Sequence, residues 1–336
     1  MEGPNPFISL EEDAKNIYGR KEEAKIFNDF VNMVSSMQGT GILITGGLGM
    51  GKTALLRHFK YIAEKNGLLV PYVKIERGEK LNDIIEKLGT EFSLLLNSEQ
   101  KINHEKLETM LDGIKTFGNF GAVIFLDEID QVKEHDRLIE EIVSILKKYW
   151  GKRKLGFVMS SVKELEYPEI IKKMVLDAFS EHDAHDFVTS ALSRDKKSLK
   201  MGEECLHSIM IDSNGNPKIV NEICRYMYSR IRENEKIISK GHYLAYLPHI
   251  LSMFSREWFG KIYQETPEAE MNIVRVIAKN NDGVHVSKIA KELGKPIGQI
   301  TVLIKRLLGR WQIIKMERGK YRIFARLYGK YVLSRG

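Results

Sequence analysis

The stretch with the clearest chemistry in this 336-residue chain is Gly46-Gly47-Leu48-Gly49-Met50-Gly51-Lys52-Thr53. Its spacing is G-x-x-x-x-G-K-[ST]. Glycines let successive backbone N–H groups curl inward onto phosphate oxygens, and a helix beginning there adds its partial positive charge. Lys52 would reach the β- and γ-phosphates, and the Thr53 hydroxyl would hold Mg²⁺. An ordinary glycine-rich turn explains the pattern less well, because all four signature residues are present with the right flanks. The expected nucleotide cradle is Gly46, Gly47, Leu48, Gly49, Met50, Gly51, Lys52, Thr53 and Ala54.

A second group is acidic. Asp127-Glu128 closes the apolar run Ala122-Val123-Ile124-Phe125-Leu126. Such a run suits a strand buried on both faces of a parallel sheet, and ligands bind at the carboxyl ends of those strands. Asp127 would coordinate Mg²⁺ through water, while Glu128 would orient and polarise an attacking water. Beside a phosphate loop this outweighs the alternative of a strand ending in solvated acids. Ser160 and Ser161 end another apolar run, Leu155–Met159. They either contact the γ-phosphate or the water, if the two strands are neighbours, or simply begin a loop.

The elements that must position these groups follow from periodicity. Residues 8–36 read as an opening helical region, with Ile26, Phe30, Met33 and Met37 at helical spacing. Strand one is Ile42–Thr45, and the helix after the loop runs from about Lys52 to Lys65, stopping at Asn66-Gly67. Strand two is expected at about Val70–Ile75. Helical segments follow near Leu81–Leu96 and His104–Phe117, and Leu138, Ile142, Ile145, Leu146 and Tyr149 form the core face of another helix. Lys172-Lys173 precede a short strand, Met174–Ala178. Ser180 caps a helix whose first turn holds Asp183; capping and a solvated face explain the His182/Asp183/His185/Asp186 cluster better than a metal does. Pro217 opens a later helix after Asn214-Gly215-Asn216. Lys218 in its first turn is either a solvated lysine or a second phosphate sensor.

Composition fits a globular protein of two or three domains, with 43% apolar and 29% charged residues. Membrane spans and a secretory leader are not expected, which points to the cytoplasm. Cys205 and Cys224 are too few for a disulfide framework or zinc site and are expected as buried free thiols. The abundance of Lys, Glu and Ile hints at a heat-loving source. Net charge is +7, but from Thr266 onward the chain holds 15 Lys and Arg against 5 Asp and Glu. A basic end on a near-neutral body suggests an acidic partner, usually nucleic acid.

That basic end has its own pattern. Met271, Val274, Ile277 and Ala278 line a helix, and Val284–Val286 is a short strand. A short helix over Ser287–Leu293 turns into a second over about Gly298–Leu308. Gln312–Met316 and Lys320–Phe324 bracket Glu317-Arg318-Gly319 as a hairpin. Helix, strand, helix-turn-helix and hairpin make a winged helix. Gln299, Thr301, Lys305 and Arg306 form a face for a major groove, and Arg318 and Lys320 at the hairpin tip would touch phosphate or the minor groove.

Taken in order, Tyr18-Gly19-Arg20-Lys21-Glu22-Glu23, Gly51-Lys52-Thr53, Asp127-Glu128-Ile129-Asp130, Ser160-Ser161 and Gly215-Asn216-Pro217-Lys218 resemble the archaeal ATPases of the AAA+ superfamily. That group stands near the origin-recognition-type initiators and the STAND signalling ATPases. The resemblance covers nearly the whole chain and implies an α/β parallel sheet of order 5-1-4-3-2, a helical lid and a C-terminal winged helix. The matching division is an ATPase core over 1–178, a lid over 179–262 and a winged-helix domain over 263–336. It further implies that Tyr18, Gly19 and Arg20 lie by the adenine and that Ser160 or Ser161 is the first sensor. Pro217 and Lys218 would lie at the nucleotide, although initiators carry a sensor arginine where Lys218 stands. Members that oligomerise present an arginine finger after strand four, a region that here holds Lys172-Lys173.

The expected protein is an ATPase taking ATP and Mg²⁺, exchanging ATP for ADP, and placing a winged helix on double-stranded DNA. Its use would be replication, recombination or mobile-element maintenance, with homo-oligomer formation left open. The alternative is a STAND-type switch whose winged helix contacts protein. A metabolic kinase fits less well, because the carboxylate pair suits water and the terminal module is basic.

Overall fold

The computed structural model describes residues 5–7, 15–97, 106–114, 120–163, 165–194, 198–232, 234–280 and 282–335. Parts of the expected opening helix and of the 104–117 segment lie outside them. The chain divides into two compact units, residues 11–47 with 51–177, and residues 1–10 and 178–336 with the loop tip Leu48–Met50.

The first unit contains α1 (Lys21–Ser35), β1 (Thr40–Thr45), α2 (Lys52–Lys65), β2 (Tyr72–Lys74), α3 (Leu81–Leu95) and α4 (Leu107–Gly113). Next come β3 (Ala122–Asp127), α5 (His135–Tyr149), β4 (Leu155–Ser161) and β5 (Ile171–Val175). All five strands pair in parallel in the order β2-β3-β4-β1-β5, which is the expected 5-1-4-3-2 read from the other edge. Every residue of β1, β3 and β4 is buried, so apolar side chains alternate onto two covered faces. Ile124, Leu126, Phe157 and Met159 join α3, α4 and α5 in one core. On the other face Phe27 of α1 stacks on Phe59 of α2 at 4.0 Å between ring centroids and reaches Phe125. Close packing fixes this face: a Cβ at Gly156 would come within 2.5 Å of Phe30, so a side chain there would displace α1.

One strand differs from expectation. β5 occupies 171–175 rather than 174–178, because it is an edge strand and its outward positions hold the exposed Lys172 and Lys173. Lysines on an edge strand block further pairing.

The second unit begins with α6 (Glu181–Ser193), β6 (Lys200–Met201), α7 (Glu203–Ser213), α8 (Pro217–Tyr228), β7 (Ile237–Ile238) and α9 (Lys240–Phe254). A π-helical turn, Ser255–Phe259, continues α9 into α10 (Gly260–Glu265). Then follow α11 (Glu268–Ala278), β8 (Val284–His285), α12 (Val286–Leu293), α13 (Ile297–Gly309), β9 (Ile313–Lys315), β10 (Lys320–Ile323) and α14 (Arg326–Leu333). Strands β8, β10 and β9 form a small antiparallel sheet in that order. The expected helix, strand, helix pair and hairpin are thus present, while α14 was not anticipated. It packs on α11, with Gly329 beside Ala278.

Ser180 caps α6 as expected: its hydroxyl accepts from the Asp183 N–H, and the Asp183 carboxylate accepts from the Ser180 N–H. No cluster that could hold a metal occurs among the described residues. Cys205 and Cys224 are buried free thiols, and burial pushes Cys205 up to about 12. No described helix is long and apolar enough to cross a membrane.

Candidate nucleotide site

Strand β1 delivers the chain into the glycine-rich loop, and α2 starts at its far end. Gly51, the N-cap of α2, has φ +88 and no capping side chain, so a residue with a Cβ would be strained there. Nothing lies within 4 Å of a Cβ built at Gly51, which leaves the helix start open on that side. Lys52 is buried, and its Nζ donates to the carbonyls of Gly46 at 2.7 Å and Gly47 at 3.0 Å. Desolvation pulls its pKa down to about 8, opposed by the negative charges of Asp127, Asp130 and Glu128. A buried ammonium held only by carbonyl dipoles is poised for an anionic partner.

Asp127 is fully buried at the end of β3 and accepts from three hydroxyls. Thr53 Oγ1 donates to Oδ2 at 2.9 Å, Tyr72 Oη donates to the same oxygen at 2.8 Å, and Ser160 Oγ donates to Oδ1. The Thr53 hydroxyl and the Asp127 carboxylate therefore meet, as oxygen ligands of one hard cation must. Ser160 also accepts from the Glu128 N–H at 2.9 Å, tying the turn after β3 to β4.

Glu128 takes a left-handed conformation, φ 65 and ψ 46, uncommon for a residue with a Cβ. Its half-buried carboxylate pairs with Lys74 Nζ at 3.5 Å. Burial raises its pKa, Lys74 lowers it, and Asp127 raises it further. A carboxylate with raised basicity at a strand's carboxyl end is suited to accept a proton from water.

Of the two serines, only Ser160 touches this cluster. Ser161 donates to the Lys163 carbonyl at 2.7 Å and accepts from its N–H at 3.0 Å, so it is a turn residue, not a site residue. Successive strand residues point to opposite faces, which separates the two. Asp130 accepts from the Val162 N–H at 2.9 Å and steadies the same turn. Arg20 is buried at the N-cap of α1, where its guanidinium donates to the Asp177 carbonyl at 2.6 Å and pairs with Glu23. Tyr18 and Gly19 precede it half-buried.

Sequence reasoning missed Tyr72 and Lys74. Both lie on β2, whose register sets Lys74 opposite Asp127 and Tyr72 opposite Phe125. The only sequence signal is a tyrosine and a lysine alternating with Val73, which acquires meaning once β2 is known to adjoin β3.

In the second unit, Asn216 caps α8 and its amide donates to the Leu48 carbonyl of the loop tip at 2.8 Å. The Lys218 N–H donates to the Gly49 carbonyl at 3.1 Å. Gly49, with φ +78, is needed here: a Cβ would meet Asn216 Oδ1 at 2.6 Å. Pro217 is buried at the first helical position, and the exposed Lys218 places its Nζ 4.9 Å from the centre of the Trp258 ring. A cation over an indole face is held electrostatically, so Lys218 is not simply a solvated lysine.

The expected groove-facing residues Gln299, Thr301, Lys305 and Arg306 are all exposed on α13, and Arg318 is exposed at the hairpin tip beside the half-exposed Lys320. Thr301 Oγ1 donates back to the Ile297 carbonyl at 2.8 Å. Arg306 lies 3.9 Å from the buried Glu270, which Arg310 holds at 2.9 Å.

Residues 36–168 match the family model described as "AAA domain". Among curated proteins, none matches the sequence. The chain is similar in fold to the Walker-type ATPase PABY2304 of Pyrococcus abyssi, with TM-score 0.67 and 13% identity over 94% of this chain and 96% of that one. It is also similar to Cdc6p from Pyrobaculum aerophilum, with TM-score 0.52 and 12% identity over 99% and 98% of the two chains. Drosophila ORC bound to DNA gives TM-score 0.50 and 16% identity over 98% and 91%. The AAA domain, the 5-1-4-3-2 sheet and the loop ending in Lys52-Thr53 place this chain among the AAA+ ATPases.

Proposed function

We propose that the chain hydrolyses ATP with Mg²⁺ and couples its nucleotide state to a winged helix, residues 263–336, that binds duplex DNA. For the core, the supporting observation is that Thr53, Asp127 and Lys52 converge at the end of the loop with their polar atoms turned on one another. Thr53 and Asp127 would hold Mg²⁺, which supplies charge neutralisation at the β- and γ-phosphates. Lys52 would trade its two carbonyl partners for phosphate oxygens, and Glu128 would take the proton of the attacking water. Ser160 would hold Asp127 and the Glu128 backbone in place, the positioning part of a first sensor. Arg20 would support the adenine side through the backbone it fixes, with Tyr18 and Gly19 nearer the base.

Tyr72 would act through Asp127. Tyr72→Phe is expected to raise the Mg²⁺ concentration for half-maximal turnover by roughly tenfold, the low end of losses from partners of metal ligands. The conserved shape of the ring should leave the melting temperature within a few degrees. An unchanged Mg²⁺ requirement would remove Tyr72 from the metal-binding arrangement.

For DNA, the carrying observation is the exposed face of α13, where Gln299, Thr301, Lys305 and Arg306 stand without an acidic residue on the helix. Similarity in fold to ORC bound to DNA adds support. If the face contacts phosphates, affinity for duplex DNA must fall with salt at a log–log slope of about −0.9 per phosphate, with roughly 4–6 contacts. Lys305→Ala should flatten that slope more than Arg306→Ala, because Arg306 is shared with Glu270. Changing Arg318 and Lys320 should lower affinity with little change in sequence preference, since such contacts position rather than specify. Titrations of full-length protein, with ATP and with ADP, decide this.

Ile297 and Val302, each 52% exposed on α13, favour a second reading in which this face meets protein, as in a signalling switch. Absence of salt-sensitive DNA binding in every nucleotide state would select it.

A further inference from the structure

The second unit has another basic feature, one that no residue of α13 lines. A recess of about 270 Å³, open mouth included, is bordered by Arg322 of β10, Arg326 at the start of α14, Asn214 after α7 and Asn280 after α11, with Ile277 and Ile323 among its apolar walls. No acidic residue lines it. Other arginines and lysines of this unit do have acids: Arg275 pairs with Glu268, Arg310 with Glu270 and Lys330 with Asp212. Among the described residues, Arg322 and Arg326 have no such partner, and the Nε of Arg322 is buried without any hydrogen bond.

Two like charges side by side, one of them partly desolvated, cost free energy unless something of opposite sign neutralises them. The neighbouring Arg326 charge and burial accordingly hold Arg322 below the usual arginine range. Lys288 brings a third cation to the rim by donating to Asn280 Oδ1 at 2.6 Å. Ala325, the N-cap of α14, offers no capping side chain, so the first-turn N–H groups add positive field. Guanidinium forks match the spacing of oxygens on a tetrahedral oxyanion.

We propose that this recess binds a phosphate group. The group would be either a phosphodiester of bound DNA or a free phosphate or phosphomonoester, and it completes the hydrogen bonding of Arg322 and Arg326. The site is separate from the glycine-rich loop and from the α13 face, and it stands whether or not α13 reads DNA.

The test uses full-length protein carrying Lys52→Ala, which removes the loop's own claim on phosphate. Inorganic phosphate is titrated and its ³¹P resonance followed for line broadening, with ionic strength held by chloride. Broadening is expected with Lys52→Ala alone. Adding Arg326→Gln should weaken phosphate about tenfold, the loss of one strong charge-assisted hydrogen bond. Adding Arg322→Gln as well should abolish it. Arg326→Lys, which keeps the charge without the fork, should fall between. Were the doubly substituted recess to impair folding, Arg326→Gln decides, because that side chain has no partner to lose. A short duplex that suppresses the broadening assigns the natural phosphate to DNA, and broadening that persists with duplex bound assigns it to a free phosphate or phosphomonoester. Either result supports the site. Absence of broadening with Lys52→Ala, or broadening indifferent to Arg326→Gln, overturns it.

Discussion

Lys52→Ala is expected to lower ATP affinity by roughly 10²–10⁴-fold, as two hydrogen bonds from a charged donor, at about 1.5–3 kcal/mol each, are lost. The structure accounts for the size of the effect. Nζ is buried and already directed into the loop, held by the Gly46 and Gly47 carbonyls. Little side-chain ordering remains to be done when phosphate arrives, so the full strength of the contacts goes into binding. No other lysine or arginine lies between Thr40 and Met50 to replace it. Removing the ammonium also removes a desolvated charge from the empty loop, so the variant should melt no lower than the parent protein. Calorimetric titration with ATP, together with a melting curve, reads both quantities. Parent-like ATP affinity in a folded variant would mean that Gly46–Thr53 is not the phosphate loop.

The parts of this site that were legible in the sequence are contiguous. The loop and the Asp127-Glu128 pair each carry their chemistry within a few residues of one strand end, so neither needs a tertiary contact to be recognised. What stayed hidden depends on pairing between distant segments. Tyr72 and Lys74 acquire roles only through the register of β2 against β3. Ser160 and Ser161 were indistinguishable because a step of one residue reverses the facing of a strand side chain, and no neighbouring residue marks which of the two points to β3. Glu270 reads as a favourable acid in the first turn of a helix, whereas it is buried beneath Arg306 and Arg310. α14 escaped notice because eight residues hold too few turns for a clear period, and its burial against α11 supplies the stability that its own length does not. The strand order came from family likeness rather than from the residues, since sequence periodicity does not say which strands are neighbours.

Glu128→Gln is expected to keep ATP binding and slow hydrolysis by at least about 100-fold, the lower range for a general base. The argument rests on what the amide retains. It can occupy the same left-handed turn, whose backbone N–H remains on Ser160, and it fills the same volume beside Lys74. It cannot accept a proton at neutral pH, and it loses the ionic part of the Lys74 contact. Binding is governed by Lys52 and the loop, which the substitution does not touch, so affinity and turnover should separate. Asp127→Asn should behave differently. The amide nitrogen must then face hydroxyls from Thr53, Tyr72 and Ser160, leaving donors opposed within a fully buried cluster. That variant should lose Mg²⁺-dependent affinity as well as turnover, and melt lower. Single-turnover hydrolysis beside equilibrium ATP binding, measured for both variants, gives two signatures that a general loss of folding would not produce. Parent-like hydrolysis by Glu128→Gln would shift the general-base role to another group, with Asp127 and Asp130 the nearest remaining carboxylates by charge interaction with Glu128.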